Sequence, residues 1–352
     1  MAGTDSADEQ AVMAPDIGEW LLRANAEWLA PLRGRLAALQ DHGRLPHALL
    51  LLGPPGAGQS ELGLWLAARL ACESAATPAC GDCAGCRLFR AGTHPDFRYI
   101  GIEPDAKAIR IEQIRALSEA LSLKAYRGRN KVVIIHPAEA MNINSFNALL
   151  KTLEEPADNT FLLLCASRTE RLPRTISSRV TKFRLPLPAP AAALDWLNRR
   201  DRRDTWERLL ALANGAPFLA MQYAQLRLEH LEEQMQSAVD AAEQGRLDII
   251  ATAKTWAGDQ PEARLFWLES WLTGRLREAS LPGDLVNNNR LVWLQTAGRG
   301  PKIQAGYRLL DALREARVLV SGALNTQLLL EGLLVSLAAF AGGIEPARES
   351  MD

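Results

Sequence analysis

The chain has 352 residues, 48% hydrophobic and 23% charged, ordinary values for a folded globular protein and enough length for two or three domains that each bury a core. Its 40 Lys and Arg against 41 Asp and Glu leave a net charge of −1, which excludes a free-standing nucleic-acid binder driven by a global positive field. Contact with DNA has to come from a local patch or from membership of an assembly.

The opening MAGTDSADEQ is polar and acidic, so residues 1–15 read as a disordered tail rather than a targeting peptide. From Ile17 to Arg44 the pattern is helical, with Trp20, Leu21, Trp28, Leu29, Leu32, Leu36 and Leu39 at three- and four-residue steps. Then the period changes. Ala48 to Leu52 is a short apolar run that predicts a buried strand, followed by a glycine-rich turn and a helix with apolar residues from Leu62 to Leu70. A strand feeding such a turn into a helix opens a doubly wound α/β domain.

Further strands are predicted at Phe97 to Ile102, Lys131 to His136 and Thr160 to Ala166, with helices at Ile111 to Leu123 and Ser145 to Leu153. The second helix is expected to be capped by Asn144 or Ser145 and to pack Phe146, Leu149, Leu150 and Leu153 on the sheet. Strands that alternate with helices and lack a polar face argue a parallel sheet covered on both sides. This part ends near Pro186, where LPLPAPAAA marks a proline-rich joint.

Beyond the joint the pattern is helical. A compact piece covers 188–228, with Leu194, Trp196, Leu197, Trp206, Leu209 and Leu210 as its apolar face. A longer helical region over 229–345 follows, broken at Gly258 to Pro261, Pro282-Gly283 and Gly298 to Pro301. Its last run, from Arg314 to Phe340, is apolar on several sides and reads as a core helix; Asn325, Gln327, Glu331 and Ser336 interrupt it, so no membrane span is predicted and the chain reads as cytoplasmic. The predicted class is thus an α/β phosphate-loop domain over 16–187, carrying an insertion at 72–86, followed by two all-helical domains.

That insertion holds four of the five cysteines. Cys72, Cys80, Cys83 and Cys86 form C-x7-C-x2-C-x2-C, with Gly81 and Gly85 easing the turns. Four thiolates make a closed tetrahedral set, which suits structural zinc, since a catalytic zinc keeps a position open for water. A redox dithiol, a DNA-reading zinc ribbon, an iron–sulfur cluster and four unconnected thiols are the competing readings. His94 is a spare donor, expected to pack or hydrogen-bond instead. Cys165, alone in FLLLCAS, is read as a small buried hydrophobe.

Gly53-Pro54-Pro55-Gly56-Ala57-Gly58-Gln59-Ser60 matches the phosphate-loop pattern G-x4-G-K-[ST] at every position but the lysine. Gly53, Gly56 and Gly58 let backbone amides converge on phosphate oxygens, and Ser60 stands where a hydroxyl holds Mg²⁺. Gln59 donates hydrogen bonds but cannot neutralise an anion, so nucleotide affinity and chemistry both suffer. After KVVII an ATPase would want acids, yet His136 and Pro137 follow; Glu139, three residues on, should have left the strand end. The loop reads as an ATP site that is switched off.

Taken together, the loop, the four cysteines, Gly92-Thr93-His94-Pro95-Asp96, NALLKTLEEP from Asn147 to Pro156 and Ser178-Arg179 resemble the sliding-clamp loader subunits of bacterial DNA polymerase III. Within that family the missing ATPase residues make the chain similar to the delta-prime branch. The resemblance spans about Ile17 to Gly342. It implies an AAA+ module, a small helical lid and a helical collar that joins five subunits into a ring, with tau or gamma motor subunits and a delta subunit as partners. It also implies loading of the sliding clamp on primer-template DNA, structural zinc on the four cysteines, and no ATP bound by this chain.

The resemblance further gives Arg179, with Ser178, the role of an arginine finger acting in trans on a neighbour's ATP; the family's Ser-Arg-Cys is Ser178-Arg179-Val180 here. Lys151 is implied to lie along the inner face of the ring, as a candidate DNA contact, unless it pairs with Glu154 or Glu155. In active relatives Gly-Ser-x-Arg carries a nucleotide-sensing arginine; here Gly215-Ala216-Pro217-Phe218 puts Phe218 in its place. The expectation is a non-hydrolysing subunit. The alternatives are a weakly active ATPase, with Glu139 as substitute base, and a module that reads DNA through its cysteine cluster.

Overall fold

The structure, a computed structural model, describes residues 17–74, 78–103, 106, 108–126, 130–167, 169, 171–280, 299–320 and 325–342. The expected tail at 1–15 and the break at Pro282-Gly283 lie outside these residues. The chain divides into two compact units, Met1–Pro188 and Ala189–Asp352.

The first unit is built on a five-stranded sheet of order β2-β3-β4-β1-β5, with β1 at Ala48–Leu52, β2 at Phe97–Ile100, β3 at Lys131–Ile135, β4 at Thr160–Ala166 and β5 at Thr181–Arg184. Every neighbouring pair runs parallel. Every residue of β1 and β3 is buried, as expected where helices cover both faces and leave no polar side. Sequence reading did not anticipate β5. It is an edge strand in which Phe183 alone is buried, and one apolar residue among Thr181, Lys182 and Arg184 gives neither an apolar run nor an alternation to detect.

The helices of this unit are α1 (Ile17–Arg23), α2 (Ala30–Asp41), α3 (Gln59–Ala71), α4 (Ala84–Arg90), α5 (Ile111–Ser122), α6 (Ile143–Glu154) and the single turn α7 (Arg174–Ser177). Lys131, at the start of β3 and buried, donates from Nζ to the carbonyls of Leu121 and of Leu123, the latter at 2.8 Å. A buried lysine thereby satisfies carbonyls at the end of α5. Arg69, fully buried on α3, donates from Nε to Gln40 Oε1 at 2.7 Å and ion-pairs with Asp41, which ties α3 to α2.

The cap of α6 differs from expectation. Asn142, not Asn144 or Ser145, is the capping residue; its Oδ1 accepts the Ser145 N–H at 2.8 Å. Ser145 is buried and sends its Oγ–H to the Ile109 carbonyl at 2.8 Å. The helix therefore starts at Ile143, two residues earlier than the spacing suggested, while Phe146, Leu149 and Leu153 are buried in the core beneath β1, β3 and β4.

The second unit is all-helical among its described residues: α8 (Pro190–Arg200), α9 (Trp206–Leu212), α10 (Pro217–Gln225), α11 (Leu228–Glu243), α12 (Ile249–Gly258), α13 (Pro261–Ser280), α14 (Arg299–Val320) and α15 (Thr326–Gly342). Trp196, Leu197, Trp206, Leu209 and Leu210 are buried as their spacing predicts. The apolar run from Arg314 to Phe340 is divided between α14 and α15 rather than forming a single helix. Asn325 stands before α15 with its Oδ1 3.3 Å from the Leu328 N–H, a helix start inside the apolar run. Glu269 on α13 accepts from Arg314 Nε at 2.9 Å and pairs with Arg317, joining α13 to α14.

Candidate functional site

Three regions carry chemistry, and the cysteine cluster is the most complete of them. All four Sγ atoms, of Cys72, Cys80, Cys83 and Cys86, lie within 4.8 Å of one another. Cys72 to Cys80 is 3.6 Å and Cys80 to Cys86 is 3.9 Å. Sulfur atoms bound to one tetrahedral zinc at about 2.3 Å stand about 3.8 Å apart, so these two pairs already have the spacing of that donor set.

Backbone amides complete it. Cys80 N–H points at Cys72 Sγ (3.4 Å), Glu73 N–H at Cys83 Sγ (3.4 Å), Cys83 N–H at Cys80 Sγ (3.4 Å) and Cys86 N–H at Cys83 Sγ (3.3 Å). Such donors stabilise thiolates and orient them toward a cation. Burial pushes the Cys72 thiol up, but hydrogen bonds from Cys80 and Ser74 outweigh it and hold the group at about 6. His94 is not part of the cluster; it is buried, and its Nδ1 accepts the Asp96 N–H at 3.2 Å.

Glycines set the turns around the cysteines. Gly81 takes a φ of +80°, and Gly85, in the first turn of α4, lies so close to α3 that an added Cβ would sit 2.3 Å from the Ala71 carbonyl oxygen. Gly85→Ala is expected to destabilise the chain by about 1–3 kcal/mol through this clash with backbone that cannot yield. Thermal unfolding of the metal-loaded chain checks this.

The phosphate loop follows β1, with positive φ at Gly56 (76°) and Gly58 (110°). Gln59 does not face outward. It is buried, and its Nε2 donates to the carbonyls of Gly53, of Pro54 at 3.0 Å and of Ala166 at 3.4 Å. The side chain in the lysine position is thus spent on the loop's own backbone and on the end of β4. Ser60 is buried beside it. Trp28 donates its indole N–H to the Ala57 carbonyl at 3.0 Å, which holds the loop from the N-terminal side. Cys165 is fully buried on β4, with its Sγ 3.4 Å from the Gln59 carbonyl oxygen, and burial pushes its thiol up.

At the end of β3, burial lowers His136 to about 4, which keeps the imidazole neutral at pH 7. Its Nδ1 is 3.0 Å from the Tyr99 hydroxyl. Glu139 has left the strand, as its spacing required, but its carboxylate folds back: Oε1 accepts the Ser167 N–H at 2.8 Å, and Oε2 is buried with no hydrogen-bond partner among the described residues. Ser167 directly follows Ala166, whose carbonyl meets both Gln59 and the Gly53 N–H. Glu139 therefore reaches the edge of the loop through a backbone contact that its position in the sequence did not reveal.

Arg179 follows α7 and meets Glu154, the last residue of α6: Nε donates to Glu154 Oε1 at 2.8 Å, and Nη2 ion-pairs with the same oxygen. This partner, 25 residues away, was not foreseen, because nothing in the two local sequences pairs them. Lys151 is exposed on α6 and forms no ion pair among the described residues, so the expected alternative pairing with Glu154 or Glu155 is not found. In the second unit Phe218 is buried and packs edge-on against Trp196, with ring centroids 5.3 Å apart. An aromatic core contact stands at the position where the resemblance gives active relatives a nucleotide-sensing arginine.

Residues 31–189 match the family model described as DNA polymerase III, delta subunit. The chain is 37% identical over 328 residues to DNA polymerase III subunit delta' of Pseudomonas aeruginosa, covering 90% of this chain and 98% of that one. It is 30% identical over 317 residues to the subunit delta' of Escherichia coli, covering 88% and 94%. A shorter match, 40% over 146 residues, links 41% of this chain to 22% of the Escherichia coli subunit tau. With identity of this level along nearly the whole length of both partners, the chain belongs to the DNA polymerase III subunit delta' family.

Proposed function

We propose that the chain is the non-hydrolysing subunit of the replicative clamp loader, a stationary wall against which motor subunits work to place a sliding clamp on primed DNA. The observation that carries the reading is Gln59: its amide is consumed by the carbonyls of Gly53, Pro54 and Ala166, leaving no cation in the loop to meet phosphate. His136, neutral and hydrogen-bonded to Tyr99, adds no Mg²⁺ ligand where an ATPase needs one. Arg179 is proposed to act in trans, with Ser178 beside it, on the ATP of a neighbouring tau or gamma motor subunit. Its half-exposed guanidinium suits that reach.

In this reading zinc occupies the cysteine cluster as a structural ion. Residues 188–228 serve as the lid, and 229–345 as the collar of a five-membered ring that also contains the delta subunit. The exposed Leu328 and Val335, seven residues apart on α15, support a collar face that meets another subunit. Lys151, exposed and without an ion pair among the described residues, suits the phosphate backbone of primer-template DNA. No described helix is long and apolar enough to cross a membrane, which fits the cytoplasmic location proposed here.

The test is turnover and nucleotide binding by the purified chain alone. No ATP hydrolysis above the blank and no retention of ATP in equilibrium dialysis are expected. One observation favours the second reading, a weak intrinsic ATPase: Glu139 Oε2, beside the Ser167 that follows β4, is buried with no hydrogen-bond partner among the described residues. Hydrolysis by the chain alone that disappears in Glu139→Gln would establish it and overturn the first.

A further inference from the structure

We propose that Glu154 is a positioning residue for Arg179, presenting its guanidinium in one orientation; this rests on the reading of Arg179 as a group acting in trans. The contacts surround the fork on two sides. On one side Nε donates to Glu154 Oε1 at 2.8 Å and Nη2 ion-pairs with the same oxygen. On the other Nη1 donates to the Thr175 carbonyl at 2.9 Å and lies 3.3 Å from Ser178 Oγ, whose own O–H donates to Thr175 at 3.1 Å. The second N–H of Nη2 has no partner among the described residues.

Glu154 is itself held. The carbonyl of the preceding Leu153 meets the His47 ring Nε2 at 3.0 Å, just before β1, and the Leu153 side chain is buried. The carboxylate therefore hangs from a fixed end of α6. With side chains 36% and 48% exposed, the Arg179–Glu154 pair contributes little to folding. Its consequence is orientation. An unrestrained arginine samples many rotamers, and ordering it only at the moment of reaction costs entropy that a preset geometry avoids. A carboxylate bonded to the Nε edge presets the fork while leaving part of its tip unspent.

The experiment measures steady-state ATP turnover by the clamp loader reconstituted with motor subunits, clamp and primed DNA, with assembly verified by gel filtration. The variants are Glu154→Ala, Glu154→Asp, Arg179→Ala and the Glu154→Ala/Arg179→Ala double. Glu154→Ala is expected to lower kcat about threefold with KM for ATP unchanged, as loosened positioning does. Glu154→Asp should recover part of the loss, and the double variant should be no slower than Arg179→Ala. A slow Arg179→Ala beside an unchanged or faster Glu154→Ala overturns the positioning role while the trans role stands. A Glu154→Ala loss that persists in the Arg179→Ala background also overturns it. If Arg179→Ala itself is without effect, the trans reading fails first.

Discussion

Stripping the metal from the chain, or replacing Cys86 by Ser, is expected to lower the midpoint of thermal unfolding by about 10 °C, the equivalent of about 3 kcal/mol in a unit of this size. Cys72 directly follows α3 and Cys83 caps α4, so a shared ion ties the two helices together. Cys83 is the capping residue of α4, and its Sγ accepts the Cys86 N–H at 3.3 Å. α4 in turn carries Phe89, 1% exposed, onto Phe97 of β2 at a centroid distance of 4.7 Å. Without a cation, four thiol groups within 4.8 Å of one another lose their common partner. α4 is then free to leave α3, and Phe89 leaves the core. Metal analysis of the purified chain should give one zinc per chain, lost in Cys86→Ser. A metal-free chain with unchanged unfolding would show that the four thiols fold without an ion.

The second large effect is on turnover. Arg179→Ala in the assembled clamp loader is expected to cut steady-state ATP hydrolysis about tenfold or more, because a finger is worth about 10³ or more at the site it serves and a ring whose sites fire in concert turns over no faster than its slowest site. The loss should appear in kcat, since the guanidinium acts on charge that develops as the γ-phosphate departs. Arg179→Lys should not restore it. Lysine keeps the charge but not the fork, so one nitrogen would have to serve both Glu154 and the neighbour's phosphate where arginine uses separate ones. Measured turnover of gel-filtered assemblies, with equal subunit content for each variant, checks both substitutions.

Much of this was legible locally. The apolar runs at Ala48–Leu52 and Thr160–Ala166 became strands with those bounds, because both are central in the sheet and buried. The cysteine spacing and the glycine loop were readable for the same reason: their residues are neighbours in sequence, and their chemistry depends on type and separation. What depended on the third dimension was not readable. Asn142, Asn144 and Ser145 all have capping side chains, and in the fold Asn142 takes the cap while Ser145 turns its Oγ–H to Ile109. Phe183 alone could not announce β5. Gln59 was legible as a missing charge, but not as a side chain folded onto Gly53, Pro54 and Ala166. Phe218 was legible as a lost arginine, while its partner Trp196 lies on another helix. Glu154 meets Arg179 only because the end of α6 and the turn after α7 come together in the fold.

In the proposed role this chain lends a finger and lacks a working ATP site of its own, and one comparison separates the two halves. ATP turnover by the assembled clamp loader should be measured with the chain carrying either Ser60→Ala, which removes the Mg²⁺-type hydroxyl of its phosphate loop, or Arg179→Ala. The proposed role predicts that Ser60→Ala leaves turnover unchanged while Arg179→Ala depresses it about tenfold. Turnover that falls with Ser60→Ala and survives Arg179→Ala would contradict it, and would make the chain a motor in its own right.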